Sequence, residues 1–262
     1  MIHLTTNQLA DWLALVYWPF VRIGSCFMIV PVFGAETVPA RVRVVLAGAI
    51  TLLIAPLLPA PPPVAPFSAA GCVITVQQVL IGVALGFCLH ILFDAVNLGG
   101  QMLANSMGLS MAFNIDPLHG SDASTPAVGQ LYTLLVTLTF LALNGHLALI
   151  EVLTHSFSTL PVGTDGLGTA GLQTIAGWGS QLFAGALAIA LPGVTALLVV
   201  NLAFGVMSRA APAFNLFAIG LPVSLVFGLV ILTVGLPAVQ ASFMELLGRT
   251  FAALAQLIGA AG

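Results

Sequence analysis

The sequence contains no lysine, and five arginines are its only strong bases. Charged residues make up 5% of its 262 positions, whereas they make up about 25% of a soluble globular domain. A surface that binds nucleic acid needs a cluster of basic side chains, and five scattered arginines cannot form one. The shortage of charge therefore argues against a soluble domain and excludes binding to nucleic acid.

Common catalytic and cofactor-binding motifs are also missing. The sequence has no GxSxG nucleophile elbow, no HExxH zinc motif, no P-loop and no GxGxxG after a predicted strand. His146 and Glu151 are five residues apart, which places them on different faces of a helix. His155 is poorly spaced from His146 for a shared metal ion. We therefore predict that the chain is not an enzyme and holds no metal ion or cofactor.

Cysteine is scarce as well. Cys26, Cys72 and Cys88 lie within apolar runs, and their odd number and spacing fit neither a disulfide framework nor a CxxC metal site. We expect them to be small buried side chains. The first residues, MIHLTTNQLADWL, lack the basic region that opens a signal peptide, so we expect no cleaved leader.

Long apolar runs dominate the rest of the sequence. Hydrophobic residues make up 60% of the chain, and the mean hydropathy is +1.15. Four charge-free runs each exceed the roughly 20 residues that a helix needs to cross a bilayer: Val44–Phe93, Ala123–Ile150, Gly166–Ser208 and Ala210–Met244. We predict an all-α polytopic membrane protein. Its apolar segments, about six, are expected at residues 9–33, 42–60, 69–98, 127–155, 180–207 and 214–238.

The apolar segments contain residues that are unusual in helices that face lipid. Pro19, Pro192 and Pro222 each predict a break within a segment. Such breaks are tolerated at membrane depth only where protein or water meets the freed backbone groups. Gly82 and Gly86 form a GxxxG pattern, which lets two helices pack closely. These features favour helices buried in an assembly, and a monomeric bundle with ordinary kinks is the alternative.

Arginines near the segment ends indicate an orientation. Arg41 and Arg43 flank the second segment, and Arg209 lies between the fifth and sixth. Both loops then fall on one side of a six-segment arrangement, nominally the cytoplasmic side. Arg249, near the C-terminus, indicates the opposite orientation.

Three ionisable residues inside the apolar segments raise a second functional class. Arg22, Asp94 and Glu151 are candidates for a substrate or ion path, as in a secondary transporter. However, no inverted repeat relates the two halves of the chain, and the charges are too few to trace a proton relay. Pairing of each charge at a buried interface or near the lipid headgroups is an equally good interpretation.

The C-terminal stretch Ser242–Ile258 is amphipathic. Glu245 and Arg249 form an i,i+4 pair outside an apolar stripe with spacings of three and four. The stripe consists of Phe243, Leu247, Phe251, Leu254 and Ile258. We predict a helix at about residues 239–260 that lies along an interface, docks on a partner or packs on its own chain.

Four stretches carry a shared family pattern. They are RIGSCFMIVPVFGAETVPARVRVVLAGAI (Arg22–Ile50), GGQMLANSMGLSMAFNIDP (Gly99–Pro117), LNGHLALIEVLTHSFSTLPVG (Leu143–Gly163) and NLAFGVMSRAAPAFNLFAIGLPVSLVFGLVIL (Asn201–Leu232). The last includes S-R-x-x-P-x-x-N-x-F, with Ser208, Arg209, Pro212, Asn215 and Phe217. In order and spacing the four stretches resemble the FliR family of flagellar export-gate proteins. The N-G-H element favours the flagellar branch over the related injectisome proteins.

The resemblance covers nearly the whole chain and implies a single domain over residues 1–262. It implies a non-enzymatic subunit with the fold of a fused FliP-like and FliQ-like portion, built from helical hairpins. It further implies assembly with FliP and FliQ, and contact with FlhB, in the inner membrane at the flagellar basal body. That assembly is the entry portal for unfolded flagellar proteins. Because the proton-motive force and a separate ATPase power export, no nucleotide site is expected. An injectisome homologue and a small-solute transporter are the alternatives.

The stretch SMGLSMAFNIDPLHGSDASTP (Ser106–Pro126) is too polar to cross a bilayer, yet it is richer in Met and Phe than a solvent loop. The resemblance implies a loop that helps to close the channel. Because Met adapts to irregular surfaces, we expect a seal formed by Met107, Leu109, Met111, Phe113 and Ile115. Gly108 and Gly120 would allow tight turns or movement. The alternative is that these residues only pack the loop against a neighbouring helix.

Four further residues are expected to have assembly or structural roles: Arg22, Arg209, Pro212 and Asn215. Arg209 and Asn215 are expected to satisfy exposed helix ends at a subunit interface. Arg22 is expected to pair inside the complex.

Overall fold

The computed structural model describes residues 6–35, 37–109, 127–164, 166–210 and 216–259. Every regular element in these ranges is helical, which confirms the predicted all-α fold. The helices are α1 (Thr6–Ile29), α2 (Pro31–Gly34), α3 (Ala40–Ile54), α4 (Ala69–Ser106), α5 (Ala127–Ala142), α6 (Gly145–Thr159), α7 (Thr169–Trp178), α8 (Ser180–Ala210) and α9 (Leu216–Gly259), with a 3₁₀ turn at Ala55–Leu57.

Four stretches within the described ranges are long and apolar enough to cross a membrane: Ala40–Leu57, Ala69–Ser106, Thr169–Ala210 and Pro222–Gly259. A fifth is added if α5 and α6 count as one broken span. The sequence predicts about six, and the main difference lies at the N-terminus. There the apolar part of α1 is only Leu13–Ile29, which is shorter than the roughly 20 residues that a perpendicular span requires.

The internal prolines do not end their helices. α1 continues through Pro19, α8 through Pro192 and α9 through Pro222. The chain breaks instead at Asn144, between α5 and α6, and at Gly179, between α7 and α8. Asn144 has a φ of 57°, a left-handed conformation that asparagine tolerates because its short polar side chain bonds locally. Broken helices are therefore present, but not at the prolines.

The start of α4 follows from a proline-rich link and a serine cap. Prolines after the 3₁₀ turn, among them Pro59 and Pro61 to Pro63, keep this link from being helical, because proline cannot donate to a helix ladder. Ser68 then caps the helix: its Oγ accepts a hydrogen bond of 3.0 Å from the backbone N–H of Gly71. A serine in this position satisfies one of the unpaired N–H groups of the first turn.

The helices form two compact units. Unit 1 comprises residues 1–91, 143–179 and 249–262, and unit 2 comprises residues 92–142 and 180–248. Two helices, α4 and α9, are each divided between the units, α4 after Ile91 and α9 after Gly248. The single domain over residues 1–262 was expected from the family resemblance, and it stays a prediction.

Two further predictions can be compared with the structure. Cys26 and Cys88 are buried as expected, but Cys72 is exposed, because it lies in the first turn of α4. The C-terminal stripe is confirmed in part: α9 runs to Gly259 without interruption, and four of the five stripe residues are buried. The buried four are Phe243, Leu247, Leu254 and Ile258, and Phe251 is half-buried.

Candidate functional site

Arg22 is fully buried in unit 1 and forms a polar node that joins three helices. Its Nε donates to Oε1 of Gln78 on α4 at 2.8 Å. Its Nη1 donates to the backbone oxygen and the Oγ of Ser156 on α6, at 2.9 and 3.1 Å. Its Nη2 donates to the backbone oxygen of Leu160 at 2.8 Å. The guanidinium carbon also lies 4.0 Å from the centroid of the Phe157 ring.

None of the described partners of Arg22 is a carboxylate. Two of the acceptors are backbone oxygens at the C-terminal end of α6, the end where a helix leaves its last carbonyls unpaired. That end also carries a partial negative charge, so a cation is favoured there. Arg22 therefore caps α6 from within its own chain. Its expected role at a subunit contact stays a prediction, and the geometry supports an internal structural role.

Gln78 is held in one orientation by this node. An arginine side chain has donors and no acceptor, so Gln78 must present its oxygen to Arg22. Its Nε2 then points elsewhere, and no partner for it is present among the described residues. The sequence analysis did not identify Gln78, although its place one helical turn before Gly82 was a usable signal.

The GxxxG pair lies against α1, a partner that the predicted close packing left open. A Cβ added to Gly82 would overlap the Oγ of Ser25 and the backbone oxygen of Arg22. A Cβ added to Gly86 would lie 2.9 Å from the backbone oxygen of Cys26. Only glycine permits this approach, so the close packing of α1 on α4 explains both positions.

The structure also describes the other two intramembrane ionisable candidates. Glu151 lies exposed on α6, and Asp94 is half-buried in unit 2. Within the described residues, no group of three or more His, Cys, Asp and Glu side chains could hold a metal ion. A path for ions or a charged substrate is therefore not supported by the charges that the structure describes.

The start of the expected sealing loop lies in unit 2. Met107 follows the last residue of α4 and is 1% exposed. It packs against Gly228 of α9, where an added Cβ would overlap the Met107 side chain and lie 2.6 Å from its Cε. Gly108 has a φ of 80°, the left-handed conformation that ends many helices. Leu109 is half-buried.

For Met107 this geometry agrees with the packing alternative, and its sealing role stays a prediction. The remaining loop residues lie outside the described ranges: Met111, Phe113, Ile115 and Gly120. Pro212 and Asn215 of the hallmark motif also lie outside them. Arg209 is described, and it lies exposed in the last turn of α8, where its charge complements the helix dipole.

The apolar helices differ in how much of their surface their own chain covers. In the most apolar part of Ala69–Ser106, 67% of the residues are buried, against 28% in Thr169–Ala210 and 22% in Pro222–Gly259. The C-terminal half of α8 exposes large apolar side chains at Leu198, Val199, Leu202, Val206 and Met207. In water such a surface would aggregate, so lipid or other subunits must cover it.

These features define the class of protein: an all-α polytopic membrane protein in which a buried arginine joins three helices. Comparison with known proteins identifies the family. The family described as "Bacterial export proteins, family 1" matches residues 13–250. The flagellar biosynthetic protein FliR of Escherichia coli (strain K12) is 37% identical over 258 residues, 98% of each chain. The proteins of the same name from Pectobacterium carotovorum and Bacillus subtilis (strain 168) are 34% and 26% identical, and each covers 98% of this chain. The match spans 98% of the Pectobacterium protein and 99% of the Bacillus protein.

The chain therefore belongs to the FliR family of bacterial export proteins. It is a component of protein export and not an enzyme.

Proposed function

We propose that this chain is a core subunit of the flagellar protein export gate in the bacterial inner membrane. It assembles with FliP and FliQ, contacts FlhB, and helps to form the entry portal for unfolded flagellar proteins. The observation that carries this proposal is the match to flagellar biosynthetic proteins over 98% of both chains. An injectisome homologue is disfavoured, because these relatives carry the flagellar name and the chain has the N-G-H element at Asn144.

Exposed apolar surface supports an assembly. The outer faces of α8 and α9 leave most of their apolar side chains uncovered by the rest of the chain. Several helical glycines on these helices have nothing within 4 Å of an added Cβ, among them Gly205 and Gly235. A glycine in a helix costs about 0.5–1 kcal/mol relative to alanine, so open glycines suit close contact with another subunit.

The loop after α4 is proposed to seal the closed gate. Met107 anchors its start against Gly228, and Gly108 turns the chain out of α4. The apolar side chains that follow block ions in the closed channel and move aside for an exported polypeptide. They belong to Leu109, Met111, Phe113 and Ile115. Methionine suits such a contact because its side chain is flexible and polarizable.

Co-expression with FliP and FliQ from the same genome tests the assembly. Native mass spectrometry of the purified material should give one defined mixed complex that includes this chain, with the chain expressed alone as the control. A chain that stays alone in detergent and never enters a complex would remove the proposal and bring the transporter alternative forward.

Within the complex, deletion of residues 108–115 should raise ion leak across the membrane. An unchanged leak would refute the sealing role while leaving the assembly intact.

A further inference from the structure

An apolar cleft of about 330 Å³ lies between α1 and α3 in unit 1. Phe20, Gly24 and Met28 line one wall, and Val44 and Ala47 line the other. A Cβ added to Gly24 would meet nothing within 4 Å, so no part of the described chain fills the space in front of it. The volume is within the range of about 300–1,000 Å³ that is typical of small-molecule sites.

One end of the cleft is basic. Arg43 lines it and is held in place, because its Nε donates to the backbone oxygen of Val38 at 3.1 Å and its Nη2 donates to that of Ala35 at 2.6 Å. The Nη1 of Arg43 has no described partner. Arg41, two residues earlier, is exposed and has none among the described residues. Arg43 lines the cleft and Arg41 does not, since residues two apart on a helix lie on different faces.

The cleft extends from this basic end along α3. Residues 30–39 connect the end of α1 to the start of α3, so Met28 lies near the basic end. Phe20 lies at the other end, since an added Cβ on Gly48 would be 4.0 Å from its ring. Residues 40 to 47 of α3 span about 10 Å at a rise of 1.5 Å per residue. The space is thus an elongated apolar channel with positive charge at one end.

We propose that this cleft binds one anionic phospholipid, with an acyl chain along Gly24 and Ala47 and the headgroup phosphate at Arg43. α3 belongs to a stretch that is long and apolar enough to cross a membrane, so its arginine-bearing end lies at headgroup level. Basic pockets between membrane helices bind anionic headgroups by this combination.

A polar partner segment would find little to bind in the same cleft. Its described lining residues include no carboxylate, and the hydroxyl of Ser25, one of its few polar groups, already donates to the backbone oxygen of Arg22 at 3.0 Å. An apolar chain with a negative head fits both the lining and the charge. The proposal requires a membrane location and not a flagellar role, so it stands or falls separately from the proposed function.

Native mass spectrometry with added lipid tests the site, on the full chain alone and on its co-expressed complex. Phosphatidylglycerol should bind more tightly than phosphatidylcholine. Arg43→Gln should weaken phosphatidylglycerol binding about fivefold, the factor that corresponds to the loss of one arginine near an anionic surface. Arg41→Gln, which removes a charge outside the cleft lining, is the matched control on the same helix and should bind like the wild type. Gly24→Leu should fill the cleft and abolish retention of the lipid. Gly24→Ala, which leaves most of the space open, and Arg209→Gln, which removes a cation elsewhere, should bind like the wild type.

The outcomes separate lipid from other occupants. Equal binding of the two lipids, or wild-type retention by either Arg43→Gln or Gly24→Leu, would overturn the proposal. Loss of partner subunits from the Gly24→Leu complex, with lipid retention unchanged, would assign the cleft to a protein helix and also overturn it. Because Gly24 faces open space, Gly24→Leu should keep the wild-type circular dichroism spectrum, and this measurement shows that the variant is folded.

Discussion

The two units hold their helices together by different means. Unit 1 places a charged side chain at its centre, where Arg22 makes four hydrogen bonds to two other helices and the residue that follows one of them. Aromatic contacts are prominent in unit 2: Phe93 lies 5.6 Å from Phe140 and 5.9 Å from Phe243, measured between ring centroids. Its α4 and α9 meet where Met107 fills the space left by Gly228.

The difference matters because the two kinds of contact respond differently to change. Directional hydrogen bonds to a buried charge allow one geometry, and their loss leaves unpaired groups behind. Apolar contacts through methionine and glycine allow several arrangements of similar energy. Unit 1 is therefore suited to a fixed role, whereas the Met107 contact is suited to a segment that moves.

The largest effect is expected from Arg22→Met. The substitution keeps most of the side-chain volume but removes the donor that the backbone oxygen of Leu160 and the Oε1 of Gln78 share in Arg22. A buried acceptor left without a donor costs roughly 1–3 kcal/mol, and two are created here, so thermal unfolding in detergent should occur at a markedly lower temperature. Arg41→Gln, an exposed arginine, is the control and should stay within about 0.5 kcal/mol of the wild type. Equal stability of the two variants would contradict the central role of Arg22.

A smaller effect in unit 1 is expected from Gly82→Ala. The new methyl group would overlap the backbone of α1 at Arg22, and such overpacking typically costs about 1–3 kcal/mol. Gly24→Ala is the matched control, because its methyl group meets open space and alanine favours the helix by up to about 1 kcal/mol. Unfolding in a denaturant titration should thus shift in opposite directions for the two variants. A shift in the same direction would show that α1 and α4 do not depend on this approach.

In unit 2, Gly228→Ala should cost only about 1 kcal/mol, because the atoms it meets belong to the flexible Met107 side chain. Combined with Met107→Ala, the same substitution should be better tolerated, with a favourable coupling of about 0.5 kcal/mol or more in a double-mutant cycle. Gly235→Ala, on the same helix with open space around it, supplies the control. Additive effects of Gly228→Ala and Met107→Ala would show that the two residues do not support each other.

The smallest effect is expected from Ser224→Ala. The Oγ of Ser224 donates to Oδ1 of Asn201 at 2.9 Å and links α8 to α9. Hydrogen bonds between membrane helices contribute about 0.6 kcal/mol on average, so the unfolding midpoint should fall slightly. Thr233→Ala, whose hydroxyl bonds within its own helix and is exposed, should have less effect. A loss as large as that of Arg22→Met would remove the contrast between the units.

Prediction from the sequence succeeded where one local pattern is sufficient. The GxxxG pair was identified correctly because small residues four apart on an apolar helix have few other uses. The C-terminal stripe was identified because a period of three to four residues is visible without a partner. Prediction failed at Pro192 and Pro222, since whether a proline ends a membrane helix depends on what neighbouring groups satisfy its missing hydrogen bond.

The sequence predicted only one part of the polar node, the arginine, and not its partners. Arg22 stands out as a charge in an apolar segment, but Ser156 and Leu160 are 134 and 138 residues away along the chain. No local sequence pattern identifies a serine or a backbone oxygen as the hydrogen-bond acceptor of a distant arginine. Gly228 was missed for the same reason, because its partner Met107 belongs to a distant segment.

The amino-acid sequence by itself determined the all-helical membrane character, the family and the absence of a recognisable catalytic motif. Each of these depends on composition or on short motifs, which are properties of neighbouring residues. The tertiary structure alone decided that Arg22 caps α6, that Met107 meets Gly228 and that a cleft with a basic end remains open beside Gly24. These depend on distances between residues far apart in the chain, and only the packing of the helices sets those distances.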